Sequence, residues 1–173
     1  MHGVTFIVLG GTSDLSRSKL IPSLYSLHKS GALPALDIVG TTRRDINETD
    51  FQTMLVEKLP DAEAREEFRP HIRLVRMNFH NEDDYDALGA TIQECGDLRL
   101  FYLATLPSHF ETITRNLASR RLVKNDSKLI YEKPFSDDLD SAQKLNESVG
   151  SLFPEEKIYR IDHYLGKELV DNI

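Results

Sequence analysis

Residues Val4–Leu9 form an apolar run with β-branched members, closed by Gly10-Gly11. A strand that is apolar on successive residues must be covered on both faces. That requires helices above and below a sheet, and the rest of the chain supplies them. Leu15, Leu20, Ile21, Leu24 and Leu27 lie on one helical stripe over 14–29, which stops before Gly31. Strand-like segments recur at 37–41, 72–77, 98–104, 128–131 and 157–161. Helical segments lie between them at 48–59, 61–68, 82–94, 108–121 and 138–149, with Pro60 and Pro134 as breaks.

Six short strands joined by helices predict an α/β fold: a Rossmann-like, doubly wound parallel sheet with helices on both faces. Parallel neighbours need crossovers of about a dozen residues or more, and those crossovers are right-handed. At 173 residues the chain fits a single domain, read over 1–173. No internal repeat, low-complexity run or flexible linker interrupts it.

Ligands of such sheets sit beyond the carboxyl ends of the strands. The first of these loops, Gly10-Gly11-Thr12-Ser13-Asp14-Leu15, joins strand to helix with small residues. They let the backbone approach a pyrophosphate, whose charge the amides at the helix start then bind. Ser13 or Asp14 can also cap the helix. The loop is neither G-x-G-x-x-G nor a Walker loop. At the second strand tip the sequence reads Gly40-Thr41-Thr42-Arg43-Arg44. An NAD-preferring domain places an acid there, against the ribose hydroxyls. Here the nearest preceding acid, Asp37, stands at the wrong end of the strand. Guanidinium groups hold a 2′-phosphate bidentately, so NADP is favoured, with NAD possible.

Two later loops concentrate chemistry. Glu132-Lys133-Pro134 follows the fifth strand, where a charged pair is costly unless it meets a ligand or partner. Arg160-Ile161-Asp162-His163-Tyr164-Leu165-Gly166-Lys167-Glu168 follows the sixth. Asp162 and His163 point to opposite sides if extended, so adjacency alone makes no dyad. No third ligand nearby suggests a metal. The single Cys95 excludes a disulfide framework and reads as a buried, reduced core thiol. A net charge of −7 argues against a broad nucleic-acid footprint. No segment approaches the roughly 20 apolar residues that span a bilayer, and no secretory signal is evident, so a cytoplasmic location is expected.

These motifs resemble the glucose-6-phosphate dehydrogenase family. Arg160–Glu168 is similar to its R-I-D-H-Y-L-G-K-E signature without a mismatch. Glu132-Lys133-Pro134-Phe135 resembles its E-K-P-F segment, Phe101–Ala104 its F-Y-L-A strand, and Gly10–Leu15 its G-x-x-G-D-L loop. The resemblance implies that Gly10, Gly11, Thr12, Ser13, Asp14 and Leu15 line the cofactor phosphates and that Arg43 grips the 2′-phosphate. It also implies that Asn78, Tyr102, Ala104 and Thr105 flank the adenine or ribose. Lys133 would touch both sugar and nicotinamide, and His163, Tyr164 and Lys167 would hold the phosphate of glucose 6-phosphate. Asp162 would orient a catalytic histidine that the family carries in a second domain, absent from this chain.

Three positions depart from the family pattern. Ser13 replaces the loop's second glycine, Thr105-Leu106-Pro107 stands for L-P-P, and Ser136 replaces a glycine. The implied function is the NADP-binding half of an oxidoreductase of glucose metabolism and the pentose phosphate pathway, converting glucose 6-phosphate to 6-phosphogluconolactone. Hydride transfer needs a positioned base, so the chain is expected to be inactive alone and to complete a separately encoded C-terminal half. A stand-alone dinucleotide-binding or sensing module is the alternative. The apolar surface that would face a second domain predicts self-association; sedimentation as a clean monomer at high concentration would count against it.

Overall fold

The computed structural model describes residues 3–33, 35–124, 126–132 and 139–161. Among these, six strands make one parallel sheet: β1 (Val4–Leu9), β2 (Leu36–Thr42), β3 (Ile72–Arg76), β4 (Leu98–Leu103), β5 (Lys128–Glu132) and β6 (Ile158–Ile161). Their spatial order is β3-β2-β1-β4-β5-β6, with every neighbouring pair parallel. The order reverses direction at β1, and the crevice between its two crossovers is the topological switch point.

All six residues of β1 are buried, and the strand period divides them between two cores. Phe6 and Val8 join the core under α1 (Ile21–Lys29), α2 (Glu48–Val56) and α3 (Ala62–Phe68). Ile7 and Leu9 join the core under α4 (Asp84–Gln93), α5 (Phe110–Ser119) and α6 (Leu139–Leu152). The expected doubly wound sheet is the one observed. Cys95 differs from expectation. It is only partly buried at the margin of the second core, its Sγ donating to the Thr91 carbonyl at 3.3 Å. Burial still pushes its thiol pKa upward.

Three local departures from the expected elements have physical causes. The first helix contains a π-helical turn, Ser16–Leu20, closed by the Ile21 amide donating to the Ser16 carbonyl. Pro22 follows immediately. It has no N–H, and its ring collides with the carbonyl four residues back, so the helix widens by one residue rather than breaking. The second helix ends at Val56 instead of 59, because Pro60 drives the residue before it out of helical backbone. The fifth helix closes with Leu122 N donating to Leu117 O and Arg121 N to Ala118 O. That pattern needs a left-handed residue, and Arg121 takes the position at φ 53°.

Gly40 sets the spacing between β2 and α2. A Cβ there would lie 2.5 Å from Phe51 Cζ, and the fully buried Phe51 ring could not stay in place. Gly40→Ala is expected to cost about 1–3 kcal/mol by overpacking. Arg121→Gly should instead stabilise by about 1 kcal/mol, by relieving the left-handed strain. Urea denaturation of both variants, read as opposite shifts of the midpoint, checks the pair.

Candidate functional site

At the switch point lies a crevice of about 460 Å³, walled by the loops that follow β1, β2, β3 and β4. Its floor is the turn after β1. Gly10 sits at φ +100°, and a Cβ on it would meet the Ala104 carbonyl oxygen at 2.5 Å. Only glycine satisfies both constraints. The turn is stapled to the tip of β2: Gly10 N donates to Thr41 Oγ1 at 3.2 Å and Gly11 N to Thr41 O at 2.8 Å. On the other side Ala104 N donates to Leu9 O at 2.9 Å. The backbone at the crevice floor is thus held by both neighbouring strands.

The helix start that follows is also held. Ser13 Oγ accepts from the Ser16 amide at 3.2 Å, and the two hydroxyls lie 2.8 Å apart. Ser16 is fully buried. Ser13 therefore caps the first turn, while Asp14 is exposed and makes no such bond. Amides in the first turn of a helix have no partner within that helix, the condition under which a helix start binds phosphate. Of this loop Gly10 and Thr12 line the crevice, and Ser13, Asp14 and Leu15 do not. The Leu15 side chain packs against the core of α1 and α2.

Basic groups dominate the walls. Arg43 and Arg44 leave the tip of β2, the loop after β3 brings His80, and the 3-10 turn Pro107–His109 brings His109. No Asp or Glu among the described residues lines the crevice. Asp37 stands at the opposite end of β2, where its carboxylate accepts from Gly96 N at 3.2 Å. Asp45, just past the arginines, is paired with Arg76. His109 packs edge-on against His80 at 5.3 Å and against Phe79 at 5.7 Å. Its pKa is lowered, first by burial, then by His80, then by Arg43. An anion beside the ring acts in the opposite sense, favouring its protonated form.

Of the residues expected at a site, the crevice brings together Gly10, Thr12, Arg43, Asn78 and Thr105. Gly11 lies behind the floor, where an added Cβ would meet Phe51 and Gly40. Ala104 abuts Gly10 from below. Tyr102 is buried inside the sheet, outside the crevice lining, with its hydroxyl donating to Glu132 at 3.4 Å. Burial and the Glu132 charge raise its pKa. Lys133, Pro134, Ser136, Asp162, His163, Tyr164 and Lys167 lie outside the described residues. β5 and β6, which precede the two motifs in sequence, end in register with Glu132 opposite Ile161. Thr42, His80 and His109 also line the crevice, as does Arg44 beside Arg43 at the β2 tip. His80 and His109 lie two residues past Asn78 and four past Thr105, so reading those two strand-end loops further along would reach them.

The family model for "Glucose-6-phosphate dehydrogenase, NAD binding domain" matches residues 7–172. A glucose-6-phosphate 1-dehydrogenase of Mycolicibacterium smegmatis is 37% identical over 97% of this chain and 37% of its own length. One from Schizosaccharomyces pombe is 38% identical over 96% of the chain and 36% of its own length. A solved structure of glucose-6-phosphate dehydrogenase in complex with glucose-6-phosphate superposes with a TM-score of 0.86 at 31% identity, covering 99% of this chain and 38% of that one. The chain thus spans little more than a third of the length of these relatives. No helix among the described residues is long and apolar enough to cross a membrane.

The crevice floor is testable apart from any ligand. Gly10→Ala forces a side chain against Ala104 at a left-handed backbone, which should destabilise the chain by about 1–3 kcal/mol. It should also displace the turn from the helix start. A lower thermal midpoint, together with weaker pyrophosphate binding in calorimetry, is the expected result.

Proposed function

The chain belongs to the glucose-6-phosphate dehydrogenase family through its NAD-binding domain, and on that premise we propose that it binds NADP as the cofactor-holding part of a glucose-6-phosphate dehydrogenase. The observation that carries the reading is the crevice itself. The turn after β1, through Gly10 and Thr12, faces two arginines across the switch point, with no carboxylate among the described walls.

The pyrophosphate lies over Gly10, Gly11 and Thr12, against the amides that open the helix. An acid at the β2 tip would receive ribose hydroxyls; Arg43 at that tip instead receives a 2′-phosphate through paired N–H donors. Thr42 helps fix the strand tip, its Oγ1 accepting from the Arg44 amide at 3.2 Å and lying 3.4 Å from Thr12 Oγ1. Asn78 and Thr105 border the adenosine side. Ser13 shapes the turn, its amide donating to Gly10 O at 3.0 Å and its hydroxyl serving the helix cap.

When bound, the nicotinamide supplies the hydride acceptor for oxidation at C1 of the sugar. By the family resemblance, Lys133 reaches between sugar and nicotinamide, and His163, Tyr164 and Lys167 hold the sugar phosphate. The C1 hydroxyl must also lose a proton to a base, which the resemblance assigns to a second domain, with Asp162 orienting it.

Calorimetry with NADP and NAD tests the cofactor reading. NADP should bind more tightly than NAD. Arg43→Ala should weaken NADP by about 10- to 100-fold, the worth of a charge-assisted pair, while leaving NAD nearly unchanged. Mixing the chain with a C-terminal half from a relative should restore NADP reduction by glucose 6-phosphate. A well-formed complex without activity would overturn the half-enzyme reading.

A further inference from the structure

We infer that His80 and His109 complete the 2′-phosphate site opposite Arg43, with His109 taking up a proton when the phosphate binds, so that the preference for a 2′-phosphorylated dinucleotide over an unphosphorylated one is set by pH. The inference rests on the dinucleotide reading of the crevice and goes beyond it by naming two further specificity residues.

Three strands deliver the groups to one place. Arg43 follows β2, His80 follows β3 and His109 follows β4, and all three line the same crevice. The two rings meet edge-on at 5.3 Å. Their loops are anchored from below. The Phe79 carbonyl accepts from Tyr85 OH at 3.0 Å and from Asn116 Nδ2 at 3.1 Å. His80 N donates to Asn78 Oδ1, and His109 N donates to Leu106 O. The loops that carry the rings are therefore positioned by the fold, with His109 partly buried and His80 exposed.

His109 Nδ1 is buried and has no hydrogen-bond partner among the described residues. A buried imidazole nitrogen left without a partner is costly, and the ring meets the crevice by its other edge. The charged groups that act on His109 are His80 and Arg43, both basic. Elsewhere at this end of the crevice, Arg76 is spent on Asp45, and Asp84 accepts from the Asn78 amide and from Asn81. Arg44 adds a further positive charge. Basic neighbours hold a second proton off His109 until a dianion enters, which then favours it.

The ligand's own titration runs the other way. A phosphate monoester loses its second proton near pH 6, so binding by fixed charges alone would strengthen or stay level as pH rises and would release a small fraction of a proton. Binding by titrating histidines weakens as pH rises and takes protons up. The two are separated by the sign of the measured proton exchange.

The test is calorimetry of the full chain with NADP and with NAD between about pH 6.5 and 8, in two buffers of different ionisation enthalpy. The expected result is an NADP Kd that weakens about three- to tenfold across that range, with net proton uptake near neutrality. The NAD Kd should stay within about twofold, without uptake. The double variant His80→Asn/His109→Asn should flatten the NADP profile and abolish the uptake. Wild-type NADP binding with a level profile and no uptake would overturn the inference while leaving the cofactor reading intact. Uptake that survives in the double variant would overturn it too. Failure of both dinucleotides to bind would remove the cofactor reading and the inference together.

Discussion

β1 has a hydrogen-bonded neighbour along each edge and an apolar core on each face. Its end is fixed in space by four constraints at once, and Gly10 emerges from it with nowhere to go but upward between the tips of β2 and β4. The left-handed turn, the staple to Thr41 and the approach to Ala104 follow from that confinement. So does the opening of the crevice, because the chain must cross to one face after β1 and returns from the other face into β4. The confined turn at the crevice floor is thus a consequence of burying one strand completely.

The chain carries a net charge of −7, yet its crevice is walled by basic groups and lacks carboxylates among the described residues. Such local segregation matters more to an anionic ligand than the global sum, since low-dielectric walls focus the field of the groups that line them. Exposed acids elsewhere have partners of their own: Asp45 with Arg76, and Asp83 and Asp86 with Arg120. These exposed pairs add little to stability.

Much of this was legible in the amino-acid sequence, and the reasons differ by element. Val4–Leu9 announces a doubly covered strand because burial on both faces erases the polar alternation that other strands show. The arginines at the β2 tip are legible because their position relative to a strand end is fixed by sequence spacing. The π-helical turn was not legible, since Pro22 near a helix start reads as a favourable first-turn proline; only the register of the turn before it reveals the collision. Tyr102 follows the pattern of a strand-end residue, but alternation along β4 turns its ring into the core under α1 and α2. His80 and His109 are 29 positions apart in sequence and become a pair only through the sheet order. No local pattern encodes that meeting.

The strand order also bears on how the chain comes off the ribosome. β1, β2 and β3 are made first and can pair as they emerge, with α1 to α3 covering one face. The other edge of β1 waits for β4, made after residue 97, and the face that carries Ile7 and Leu9 has only α4 until α5 and α6 follow. During that interval a strand that ends fully buried offers an unpaired edge and a partly covered side, the condition under which strands find wrong partners. The central place that makes β1 the firmest part of the finished fold makes it the most vulnerable part of the growing one.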